Sequence, residues 1–70
     1  MTNIDALDRK VVDSGLKAKF IYEKLGISKA SWYKKKSGKS PFTVGEIQTL
    51  CEILGITSLR EKEHIFFRNA

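Results

Sequence analysis

Between Ser14 and Phe42 the side chain available for chemistry is lysine, and the chemistry open to it is binding anions. That stretch holds eight lysines (17, 19, 24, 29, 34, 35, 36 and 39) against one acid, Glu23, a surplus of +7, while the remainder holds five basic and seven acidic residues, giving +5 for the chain. Such asymmetry is the footprint of a polyanion-binding face, and the plainer alternative is a lysine-rich helix face that only keeps the protein in solution. Spacing favours the first reading. Stepping 100° per residue from Trp32, a helix sets Ser28 and Lys36 about 40° away and Lys35 and Lys29 about 60° away, and it turns Ala30, Tyr33, Lys34 and Ser37 to the opposite side. With Trp32 as a buried anchor, the outward face carries a cation, two hydroxyls and a methyl group, flanked by further lysines. Those groups suit a groove lined by phosphates.

Other chemistries find little footing. Cys51 is the only cysteine, so no disulfide can form within the chain, and its place on an apolar helix face reads as a buried structural thiol. His64 is alone, with no Cys/His cluster near it, so no metal is expected and no residue suggests a cofactor. No segment combines a nucleophile, a base and an orienting group, and there is no phosphate loop, so an enzyme is the weakest class. Seventy residues make a single domain, 1–70, and a chain this small buries only about 60% of the surface its unfolded state exposes. The opening MTNIDALDRK lacks the apolar core of a signal peptide and no run approaches a membrane span, so a cytoplasmic setting without membrane contact is expected.

The elements that must position these lysines read as short helices. Asn3 or Thr2 can cap a first helix with Ile4, Leu7 and Val11 on one face and Val12 alongside, closed by Ser14-Gly15. In the second, Ile21 and Leu25 stand four apart with Phe20 beside them. Gly26 ends it, Ile27 folds back on its last turn, and Ser28 caps the next helix, so the connection spans three residues and keeps the two helices in contact. Gly38 closes the lysine-rich helix. Thr43-Val44-Gly45-Glu46 is a capping box, with Phe42 and Ile47 placed for a hydrophobic staple, and Ile47, Leu50, Cys51 and Leu54 repeat at helical spacing up to Gly55-Ile56. Ser58-Leu59-Arg60-Glu61 has the pattern of a second capping box and opens a last short helix.

From Leu16 to Gly38 the chain resembles the helix-turn-helix of phage Cro proteins and repressors, and the resemblance runs over roughly residues 4 to 56 in order and spacing. It is carried by Gly26 at the turn, apolar Ile27 after it, the anchor Trp32 and the closing Gly38. Three positions depart: Lys17 stands where a capping Ser or Thr is usual, Ala18 where a phosphate-contacting Gln is common, and Tyr22 where the family usually keeps Ala. The resemblance implies an all-α bundle of about five short helices, in which helices 2 and 3 form the helix-turn-helix and a reading helix at about 29–37 enters the major groove of double-stranded DNA. The DNA-binding residues it implies are Lys17, Ser28, Lys29, Ala30, Tyr33, Lys34 and Ser37, with Lys39 and Ser40 touching the backbone from the following loop. That helix offers no arginine, asparagine or glutamine, the residues preferred for bidentate base contacts, so specificity would rest on Lys34, Ser37, Tyr33, the Ala30 methyl and DNA shape.

The chain ends in Ile65-Phe66-Phe67, and three adjacent residues sweep about 200° of a helix, more than one packed face hides. A second copy of the chain could cover the remainder, making these three a dimer interface for a transcriptional regulator on a palindromic operator. A C-terminal tail closing over its own core is the plainer reading. The competing functions are a protein-interaction module, such as an antitoxin or anti-repressor using the apolar C-terminus on a protein partner, and a nonspecific nucleic-acid binder.

Overall fold

The computed structural model describes residues 2–67, which fold into five helices: α1 (Ile4–Ser14), α2 (Ala18–Leu25), α3 (Lys29–Lys36), α4 (Val44–Leu54) and α5 (Leu59–Phe66). Each start has a local cause. The Asn3 side chain accepts from the Ala6 N–H at 3.2 Å, the Ser28 hydroxyl from Ser31 N–H at 3.1 Å, and Thr43 and Glu46 close a full capping box at 3.1 and 2.8 Å. Helix α2 is the exception, since Lys17 holds its N-cap position without a side-chain bond.

One residue from each of the first four helices is sealed completely: Leu7, Ile21, Trp32 and Leu50 have no exposed surface. An aromatic chain extends this centre. Trp32 meets Phe42 with ring centroids 6.1 Å apart, and Phe42 meets Phe66 edge-on at 6.2 Å, within the range where tilted rings attract. Helix α3 is thereby packed through Phe42 to the last helix. The backbone closes the same circle where Asn3 N–H donates to the Ile65 carbonyl at 2.6 Å.

Four expectations are corrected by this packing. Val12 is 77% exposed and Phe20 42% exposed: each lies 100° around its helix from the core residue beside it, Val11 and Ile21, and so faces water. Ser58 accepts from Glu61 N–H at 3.4 Å, but Glu61 does not return the bond, because its carboxylate sits 3.3 Å from the Lys10 ammonium on α1. Half a capping box has become a tie between the first and last helices. The C-terminal apolar triplet is also resolved differently: α5 ends at Phe66, so Ile65 and Phe66 fit one packed face at 2% exposure each, and Phe67, off the helix at φ −125°, is 48% exposed. Cys51 is half-buried against the core, and burial pushes its thiol up from the ordinary value.

Among the described residues, no helix is long and apolar enough to cross a membrane. Because the capping box at Thr43 is complete, Thr43→Ala is expected to cost about 1 kcal/mol of stability without a proportionate loss of ligand affinity. Parallel melting and binding curves check this; a large affinity loss in a still-stable variant would make Thr43 a contact residue.

Candidate nucleic-acid interface

The turn between α2 and α3 is as short as its sequence requires. Gly26 adopts the left-handed conformation at φ 71°, its N–H donates to the Glu23 carbonyl at 3.1 Å, and the Ile27 N–H reaches back to the Tyr22 carbonyl at 3.1 Å. A side chain at Gly26 would have to hold that positive φ with a Cβ, which is strained for most residues. Tyr22, in place of the usual small residue, is half-buried at the edge of the core, and α2 and α3 remain in contact beside it.

Trp32 is the inward anchor of α3, and its indole N–H is buried with no hydrogen-bond partner among the described residues, so packing of the ring holds it in place. The opposite face is open. Ala30, Tyr33, Lys34 and Ser37 are exposed on it, Ser28 and Lys29 are exposed at the start of the helix, and Lys39 is exposed beyond its end, with Ser40 half-buried beside it. Ser37 falls just beyond the last helical residue, and its hydroxyl donates to the Lys34 carbonyl at 2.9 Å, leaving its lone pairs for a donor. Lys17 is exposed at the N-terminal end of α2, and Lys39 follows Gly38, where its N–H closes α3 by donating to the Lys34 carbonyl at 3.1 Å. Of the sequence-derived positions, Ala30, Tyr33, Lys34 and Ser37 thus fall on the exposed side of α3, Ser28 and Lys29 at its start, and Lys39 and Ser40 beyond its end, while Lys17 belongs to the start of α2.

The lysines of this stretch divide sharply. Lys35 Nζ is 2.6 Å from Glu46 Oε1, with only 13% and 12% of the two side chains exposed, and it also donates to the Pro41 carbonyl at 3.3 Å. Lys36 Nζ is 2.9 Å from Asp8 Oδ1, an ionic contact out of line for a hydrogen bond, and lies 5.9 Å from the Trp32 ring and 6.0 Å from the Tyr33 ring. The other six, Lys17, Lys19, Lys24, Lys29, Lys34 and Lys39, are exposed and form no ion pair with any described residue. Lys24 instead lies 5.5 Å over the exposed Phe20 ring. Six unneutralised ammonium groups against Glu23 leave the stretch from α2 to the loop after α3 strongly cationic at its exposed positions.

The partners Asp8 and Glu46 went unanticipated from sequence, although the helical wheel holds half the signal: Lys35 and Lys36 fall on the Trp32 side, toward the protein. Burial pushes the Glu46 carboxyl up, but the hydrogen bonds from Lys35 and the Thr43 N–H outweigh it, and its pKa lies below the ordinary value. A carboxylate depressed in the fold stabilises it above its unfolded pKa, and that contribution is lost as pH falls through the lowered one. The tie from α3 to α4 is therefore intact at neutral pH.

Set against models of known protein families, residues 6–59 match the Cro/C1-type HTH DNA-binding domain. No curated protein and no solved structure matches the chain.

Proposed function

The chain belongs to the Cro/C1-type helix-turn-helix DNA-binding family, and on that premise we propose that it is a transcriptional regulator of phage or mobile-element type, laying α3 in the major groove of a palindromic operator as a homodimer. The observation that carries this reading is the open outer face of α3, with Lys34 and Tyr33 exposed on it, Lys29 exposed at its first turn, and no described carboxylate paired with either lysine. Lys34 and the Ala30 methyl reach base edges, the first as a donor to guanine acceptors and the second against a thymine methyl. Lys17, Lys29, Lys39 and the Ser28, Ser37 and Ser40 hydroxyls hold phosphates and fix the register. Its place is the cytoplasm, with the DNA it regulates.

The dimer surface of this proposal is narrower than the C-terminal triplet. Ile65 and Phe66 are spent on the core, so the apolar area that the C-terminal part leaves to a second copy, among the described residues, lies at Phe67, 48% exposed, and Leu59, 70% exposed, at the start of α5. One reading helix covers too few base pairs for useful specificity, whereas two related by a two-fold axis read half-sites roughly 34 Å apart. Selecting bound sequences from random duplexes and measuring stoichiometry on the winner tests both parts. A palindrome at that spacing holding two chains is the expected result. One chain per saturated duplex would remove the dimer, and an unenriched pool would leave a nonspecific binder. If no duplex binds while a protein partner engages Phe67, the chain is an interaction module.

A further inference from the structure

Resting on that reading, we infer that Lys35 is a positioning residue, which locks the reading helix and the phosphate-contacting loop into one unit and touches no phosphate itself. Its ammonium bridges three elements. It donates to Glu46 Oε1 on the first turn of α4 at 2.6 Å and to the Pro41 carbonyl of the loop at 3.3 Å, while the same Glu46 oxygen accepts from the Thr43 N–H at 2.8 Å. Lys39 and Ser40 lie between Lys35 and Pro41 in the chain, and the Lys39 N–H is fastened to the Lys34 carbonyl. The loop is therefore pinned at both ends relative to Lys34, so the backbone contact and the base contact keep a fixed spacing.

An ammonium already facing a carboxylate in a largely buried pair has little charge left to displace counterions from DNA. For Lys35 to swing out to a phosphate, it would abandon two acceptors and leave Glu46 partly buried beside a weakened cap, a costly exchange. Sequence alone turns Lys35 toward the Trp32 side of the helix but names no partner for it. The geometry assigns it the opposite role from Lys34.

Two substitutions separate the roles because they predict effects of opposite sign. Lys35→Met keeps the aliphatic stem and removes the charge; Glu46→Gln keeps a capping side chain, since an amide serves at that position, and frees Lys35. Affinity is read against salt on the duplex recovered by selection and on a mixed-sequence duplex, with melting curves to confirm folding. A positioning role predicts that Lys35→Met leaves the slope of log K against log salt unchanged and lowers affinity for the selected duplex about tenfold, with Glu46→Gln doing the same despite its added positive charge, and the double variant no worse than either. A contact role predicts that Lys35→Met flattens the slope by about one unit and that Glu46→Gln tightens binding, and that pair of results overturns the inference. Should Lys35→Met fail to fold, the sign of the Glu46→Gln change decides alone. If the parent binds neither duplex at low salt, the DNA reading falls and this inference with it; a parent that binds, beside a flattened Lys35→Met slope, sinks the inference alone.

Discussion

Trp32→Ala unfolds the domain or leaves it on the edge of unfolding. Truncating a buried aromatic costs about 3–5 kcal/mol, against a total stability for such a domain of about 5–15 kcal/mol. Here the ring has no exposed surface and stands at the head of the Trp32–Phe42–Phe66 aromatic chain, so its loss opens a cavity where α3, the loop and α5 meet. Because the buried indole N–H has no partner among the described residues, no hydrogen bond is lost with the ring, and the cost is that of the packing. The consequence reaches beyond stability, since the burial of Trp32 is what turns Lys34 outward. A thermal melt decides: a variant within a few degrees of the parent would contradict the facing of the whole of α3.

Lys34→Ala carries the largest expected effect on binding. Its ammonium is exposed at the middle of the open face, and no described carboxylate pairs with it. Losing a base contact costs about 1–3 kcal/mol where the contact is specific and relaxes preference at one position of each half-site. Lys39 supplies the contrast. Its replacement weakens binding to all duplexes alike and flattens the salt dependence by about one unit of log K against log salt. Selection repeated with each variant checks the pair: unchanged base preference for Lys34→Ala would move that residue from base to phosphate.

What was legible in the sequence is what short-range physics determines. The turn at Gly26-Ile27-Ser28 follows from one left-handed glycine and one hydroxyl cap, and the start of α4 follows from Thr43 and Glu46 three residues apart. Trp32 could be placed because a helix period fixes which residues oppose it. What escaped depends on partners distant in sequence. Glu61 has the spacing of a capping residue, yet its carboxylate goes to Lys10, 51 positions away, and nothing local signals that choice. The pairs Lys36–Asp8 and Lys35–Glu46 are of the same kind, and they decide which lysines remain to meet an anion. At Ile65-Phe66-Phe67 the plainer reading holds for two of the three: α5 stops at Phe66, so Ile65 and Phe66 close over the core and Phe67 alone is left to solvent instead of a stripe.

The most direct test of the account is equilibrium binding of the parent chain to its selected duplex and to a mixed-sequence duplex of equal length, across a range of salt. With six exposed lysines lacking described partners, affinity for both should fall steeply as salt rises, because each neutralised phosphate releases condensed counterion, and the selected duplex should stay preferred at every matched salt concentration. Salt-dependent binding indifferent to sequence, or no binding to either duplex at low salt, would contradict the claim that α3 reads a specific site.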